Sequence, residues 1–158
     1  MNLIPGAAWY GVKDGDALVR SMANRHYSRR AYKDGRAVKL TAGPGEKMLL
    51  KTPDARAVFI WRKFIDDSGQ VGVNCAMFRN EGELKSSDLI REACALAWGR
   101  WPGERLYTYV NAARIKSTNP GYCFIKAGWS KCGMTKGGLI ILELLPRTDA
   151  ETGGRDVD

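Results

Sequence analysis

One histidine is all this chain has, and its four cysteines, Cys75, Cys94, Cys123 and Cys132, include no C-x-x-C pair. A structural zinc site needs several such ligands at close spacing, so none is expected here. The cysteines are expected to be reduced, as in a cytosolic protein. No apolar run is long enough to cross a bilayer. The start, Met1-Asn2-Leu3-Ile4-Pro5-Gly6, has neither a basic n-region nor an apolar h-region. A soluble, unexported, cytoplasmic protein that engages no membrane is therefore expected.

Acidic residues are also scarce, 17 Asp and Glu against 25 Lys and Arg, for a net charge of +8. Residues 147–158 are polar, contain Gly153-Gly154 and carry Asp149, Glu151, Asp156 and Asp158 against Arg147 and Arg155. Such a segment is expected to fray as a tail. Removing its net −2 from +8 leaves +10 on residues 1–146, which are long enough for one domain. That excess favours a polyanionic or phosphorylated partner without choosing among DNA, RNA, nucleotides and coenzyme A.

The pattern along the chain predicts alternating helices and strands. Asp16 caps a helix over 17–24, on which Leu18, Met22 and His26 recur at four-residue spacing. The stretch Tyr32 to Lys51, with Gly43-Pro44-Gly45, is expected as a long basic loop with short extended pieces. Ala55 to Phe64 and Val71 to Phe78 form two strands joined at Asp66-Asp67-Ser68-Gly69. Ser86-Ser87-Asp88 cap a helix from Leu89 to about Trp98, stopped by Trp101-Pro102-Gly103. A strand from Arg105 to Val110, a short helix from Tyr122 to Ala127 and a buried strand from Gly137 to Leu144 complete the order.

His26 lies in Arg25-His26-Tyr27-Ser28-Arg29-Arg30, where the apolar face of its helix runs out. An imidazole beside a phenol and a hydroxyl can handle protons near neutral pH, while the arginines bind anions. A serine after a helix is also a common turn former. Arg25, Arg29, Arg30, Lys33, Arg36 and Lys39 interleave with Tyr27 and Tyr32, the composition of an edge that grips DNA phosphates.

The element order, with Asn119 to Gly128-Trp129 between two strands, resembles the GCN5-related N-acetyltransferase superfamily from about Leu18 to Leu144. That resemblance implies an α/β (α+β) fold: a mixed, mostly antiparallel sheet flanked by helices and splayed between its fourth and fifth strands. Here those strands would be Val71 to Phe78 and Arg105 to Val110. It also implies an acyl-coenzyme A, such as acetyl-CoA, in the gap and its diphosphate on the following loop. The loop would offer Arg79, Asn80, Gly82, Lys85, Ser86 and Ser87, whose cations, hydroxyls and backbone N–H groups suit a diphosphate. The family's [Gln/Arg]-x-x-Gly-x-[Gly/Ala] pattern is incomplete, since Arg79-Asn80-Glu81-Gly82 continues into Glu83-Leu84. Phe124 stands where many members carry a tyrosine that protonates the departing thiolate, leaving Tyr122, Ser117 and Tyr27 as candidates. Asn119 or Ser117 would bond the pantetheine or the thiolate.

A narrower block, His26-Tyr27-Ser28, Arg100-Trp101-Pro102-Gly103, Tyr107-x-Tyr109-Val110 and Asn119-Pro120-Gly121-Tyr122-x-Phe124-x-x-Ala127-Gly128-Trp129, is similar to the phage Mom-like DNA-modification family. This implies transfer of an acetamido (carbamoylmethyl) group to the N6 amine of adenine in double-stranded DNA, with protection from restriction. It also brings in iron as a cofactor, with His26 and Tyr27 as candidate ligands. An N6 amine is a poor nucleophile and lies inside the duplex, so base, electrophile and a stacking surface are all needed. Tyr27, Tyr32, Trp61, Tyr107 and Tyr109 are candidate surfaces, with Trp61 better suited to the core. The alternatives are an acetyltransferase for a small molecule or protein amine, and a non-catalytic DNA-binding module on the same fold.

Overall fold

A computed structural model describes residues 2–3, 8–13, 16–17, 21, 45–64, 69–112 and 121–146. The strands are β1 (Asn2–Leu3), β2 (Tyr10–Val12), β3 (Glu46–Lys51), β4 (Ala57–Lys63), β5 (Val73–Asn80), β6 (Leu106–Val110), β7 (Ser130–Met134) and β8 (Ile140–Leu144). The helices are α1 (Ser86–Arg100) and α2 (Tyr122–Lys126). All eight strands form one sheet in the order β1-β2-β3-β4-β5-β6-β8-β7. Every neighbouring pair is antiparallel except β5 with β6, so the sheet is mixed and mostly antiparallel.

Helix α1 forms because Leu89, Ile90, Ala93, Cys94 and Ala97 fall on one face at helical spacing, and all five are buried. That face packs on Leu50, Phe59, Trp61, Val73, Cys75 and Leu106. Indole N–H groups fasten it: Trp9 donates to the Leu89 carbonyl at 2.9 Å and Trp61 to the Ala93 carbonyl at 3.0 Å. Side chains alternate along strands, so Leu49, Val58, Ile60 and Met77 form a second cluster on the opposite face. Lys51 shares that alternation with Leu49, and its Nζ binds the Asp16 carboxylate at 3.2 Å. The segment leading to His26 therefore starts on the face away from α1. Ala17 and Ser21 are helical; the rest of the expected 17–24 helix lies outside the described residues.

Three sequence expectations need correction. Ser86 and Ser87 lie inside α1, and the cap position is Lys85, which makes no side-chain capping bond. Gly137-Gly138 is a turn, with Gly138 at φ +86° and its N–H donating to the Thr135 carbonyl, so the last strand begins only at Ile140. That turn joins β8 to β7, whose five residues are all exposed and carry no apolar pattern to announce a strand. β7 is the outer edge of the sheet, and its pairing with β8 slips between Lys131 and Gly133. The expected basic loop ends in β3, six residues of regular strand, and residues 32–44 lie outside the described residues, as does the 147–158 tail. No helix among the described residues is long and apolar enough to cross a membrane.

Candidate functional site

The strands expected as the family's fourth and fifth are β5 and β6 here, and they are joined at one end only. Their register runs Val73↔Leu106, Asn74↔Tyr107 and Cys75↔Thr108, then stops, although β5 continues to Asn80. At that same point β5 bulges against β4: Ile60 pairs with Met77 and Trp61 with Cys75, leaving Ala76 as the extra residue. A bulge bends and twists its strand and is a frequent device beside active sites. Beyond that point β5 and β6 are no longer paired toward their C-terminal ends, the position where open sheets with parallel neighbours receive ligands.

The last pair before this unpaired stretch is secured by the Thr108 hydroxyl, which donates to the Cys75 carbonyl at 3.0 Å. On the α1 side, Phe78 of β5 meets Phe124 of α2 edge-on at 6.0 Å, and Phe124 packs on Trp129 at 4.9 Å. Phe124, which the resemblance would put in the position of the acid, is a buried core ring. Beyond β6, Gly121 at φ +78° brings the chain so close that a Cβ there would lie 2.7 Å from Leu142 Cδ1 and 3.4 Å from Val110 Cγ2. This contact sets Tyr122, half exposed, beside the C-terminal end of β6.

The loop from β5 to α1 is built around Asn80. Its Oδ1 accepts from the Gly82 N–H at 3.0 Å, while Nδ2 donates to the Leu84 carbonyl at 2.7 Å and to Ser86 Oγ at 3.0 Å. Asn80 therefore shapes the loop with the atoms expected to meet a cofactor. Gly82 packs against the β3–β4 turn, where a Cβ would come within 3.1 Å of Arg56 Cβ. Arg79 lies on the end of β5, and its guanidinium pairs with Glu81. Lys85 is exposed at the helix entrance. Ser87 is buried, and its Oγ has no hydrogen-bond partner among the described residues. The Asp88 and Leu89 N–H groups of the first turn donate to the Lys85 carbonyl, both at 3.1 Å, so the N–H groups left for an anionic group are those of Ser86 and Ser87. Asp88 in that turn is paired with Arg91 at 2.9 Å, which neutralises its charge.

Of the other expected site residues, His26, Tyr27, Ser28, Ser117 and Asn119 lie outside the described residues, as do Arg25, Arg29, Arg30, Lys33, Arg36 and Lys39. No grouping of three His, Cys, Asp or Glu suited to a metal occurs among the described residues. Trp61 and Tyr107 are fully buried, so neither has a face to offer a base; Tyr109 is half-buried. The buried carboxamide of Asn74, beside the last paired rung of β5 and β6, was not anticipated. Its signal was a polar residue inside the apolar run Val73 to Phe78.

The four cysteines differ in burial, from buried Cys75 and Cys94 to exposed Cys132. Burial pushes the Cys94 thiol up to about 12, and Cys75 higher still, while partial burial raises Cys123. Cys132 is exposed, and its Sγ lies 3.4 Å from Arg105 Nη2. Thiolates are the reacting species, so a native-state thiol titration with an aromatic disulfide should show one fast equivalent, lost in Cys132→Ser. A fast equivalent that survives this substitution would refute the assignment.

Comparison of the chain with models of known families, with curated proteins and with solved structures finds no match in any of the three.

Proposed function

We propose that this chain transfers an acyl-derived group to the N6 amine of adenine in DNA: from a coenzyme A thioester the N–C bond forms as the C–S bond breaks and coenzyme A leaves as its thiol, and an acetamido (carbamoylmethyl) product needs a donor that already carries the amide nitrogen. The observation that carries this reading is the one-ended pairing of β5 and β6, bulged at Ala76 and unpaired toward the N-terminus of α1. A gap between two strands exposes backbone N–H and C=O groups that an amide-rich, extended ligand can bind as a strand would. Lys85 and the hydroxyl and N–H groups of Ser86 and Ser87 would hold the diphosphate. When bound, the donor supplies the activated electrophile that an adenine amine requires.

Donor and acceptor would meet at the gap from opposite faces. α1 and the diphosphate residues lie on one side, while the Asp16–Lys51 pair starts the His26 segment on the other. His26 is the proposed base that takes a proton from the amine. Tyr122, beside the end of β6, holds a phenolic proton for the leaving group, the role that buried Phe124 cannot fill. The net charge of +8 supports a nucleic-acid acceptor.

The test is to express the full chain in bacteria, digest plasmid DNA to nucleosides and compare masses with a His26→Ala control. A new mass on deoxyadenosine, absent from the control, is the expected result. Saturating acetyl-CoA, at about 100 times its Kd, should raise the melting temperature by roughly 5–10 °C. Unmodified nucleosides with that shift retained would replace the reading with a small-molecule or protein acetyltransferase. Unmodified nucleosides with no shift would overturn the enzyme reading altogether.

A further inference from the structure

From Arg105 to Leu142 the chain holds six cations, Arg105, Arg114, Lys116, Lys126, Lys131 and Lys136, and not one carboxylate. That imbalance reaches the surface in the hairpin of β7 and β8, where Lys131 and Lys136 are both exposed. Directly opposite residues share a face of a sheet. Lys131 lies opposite Leu142 and Met134 opposite Ile140, so both stand on the face where α2 packs through Phe124. Met134 is 66% exposed there, and Tyr122 of α2 is 53% exposed with Lys126 Nζ 5.9 Å over its ring. The turn that closes the hairpin is held by three hydrogen bonds. The Thr135 N–H donates to the Leu139 carbonyl at 2.9 Å, the Gly138 N–H to the Thr135 carbonyl at 3.0 Å, and the Leu139 N–H to Thr135 Oγ1 at 3.0 Å. Lys136 is carried at its tip. Ile140 pairs with both Met134 and Val110, so this tip lies at the C-terminal end of β6, where β6 no longer pairs with β5.

We propose that the β7–β8 hairpin clamps duplex DNA, with Lys131 and Lys136 on phosphates and Met134 between them against the base stack. The inference rests on the nucleic-acid reading above and names the element that grips the duplex. Charge complementarity selects a polyanion: two exposed lysines flank the ribbon, and no acidic side chain of the stretch competes for them. Shape and the methionine select stacked bases over an acidic peptide. A two-stranded ribbon is narrow enough to lie in a groove of the duplex. An amine inside the helix is reached only when its base leaves the stack, which uncovers the faces of the neighbouring bases. Proteins that distort DNA commonly set an apolar side chain, methionine among them, against such an opened step. Met134 is unbranched, exposed and placed between two phosphate-binding cations that would fix how far it enters.

The experiment measures binding of the full chain to a labelled duplex by fluorescence anisotropy, from about 50 to about 200 mM salt. Lys131→Gln with Lys136→Gln should flatten the log–log salt slope by about two, so that over this range the variant loses roughly tenfold less affinity than wild type. Its melting temperature should match wild type, since both side chains are exposed. A second duplex carries 2-aminopurine, which brightens when it loses its stacking neighbours. Wild type should raise its emission, Met134→Ser should not, and Met134→Leu should restore the rise, while both methionine variants keep the wild-type salt slope. An unchanged slope in the double lysine variant overturns the clamp and leaves the DNA reading standing, because the duplex is then held elsewhere. A flattened slope with equal emission from wild type and Met134→Ser upholds the lysine contacts and overturns the role of Met134. Poly-glutamate bound as tightly as the duplex through the same lysines overturns nucleic acid as the partner of this surface. A wild type that binds no duplex even at about 50 mM salt overturns the clamp and the DNA reading together.

Discussion

Gly72→Ala is expected to lower the melting temperature by roughly 10 °C, from a loss of about 4 kcal/mol. Gly72 sits at φ +127°, a conformation closed to L residues, and a Cβ there would collide with the Arg105 carbonyl oxygen. That oxygen is already engaged, accepting the Val73 N–H at 2.7 Å where β5 and β6 first come together. No flexible side chain can yield, because the obstacle is backbone. Relief would require moving β6 away from β5 at the one end where they are joined. Gly69→Ala is the control, since Gly69 also has positive φ, +84°, but nothing lies within 4 Å of its Cβ position. It should cost only the backbone preference, about 1–2 kcal/mol. Thermal unfolding of both variants decides the matter: equal losses would show that the close approach at Arg105 is not rigid. Under the proposed function, Gly72→Ala should also abolish the expected acetyl-CoA shift, because β5 and β6 are paired only at this end.

Trp61→Ala should cost about 4–5 kcal/mol, enough to bring a domain of ordinary stability close to unfolding. The side chain is fully buried at the centre of the sheet. Its ring lies 4.6 Å from Phe59 and stacks on Trp129 at 6.3 Å with 13° between planes. Its indole N–H also ties β4 to α1 through the Ala93 carbonyl. Truncation removes about 200 Å² of apolar contact and leaves a cavity bounded by rings too large to close over it. Trp61→Phe keeps most of the area and loses the hydrogen bond, so about 1.5–2 kcal/mol is expected. Urea denaturation measures both. A cost below about 1.5 kcal/mol for the alanine variant would contradict the packing described for this core.

What the sequence disclosed of the fold follows from how each element is buried. β4, β5, α1, β6 and α2 were legible, to within a few residues, because each carries an apolar run or stripe that a partner covers. β7 was invisible because Ser130-Lys131-Cys132-Gly133-Met134 covers nothing and is itself uncovered; only backbone pairing with β8 makes it a strand. β2, three residues of middling exposure, escaped for the same reason. Ser86 and Ser87 have the residue type of caps, whereas the helix begins at Ser86 itself with Lys85 at the cap, in the geometry that Asn80 imposes on the loop. Within the candidate site, Ser87 and the gap-bounding strands were legible. The bulge at Ala76 was not, since it depends on which residues of β4 lie opposite, and that pairing leaves no mark in Asn74-Cys75-Ala76-Met77.

The two margins of the sheet bear on how this protein behaves when crowded. β1 is two residues long, and β7 breaks step with its neighbour at Cys132, so neither presents a regular row of backbone groups to an incoming strand. Continuous, flat edges are what allow sheets of separate molecules to join and grow. Blunted margins let copies of a chain sit side by side at high local density without fusing into fibres, which the proposed binding along a polyanion would require.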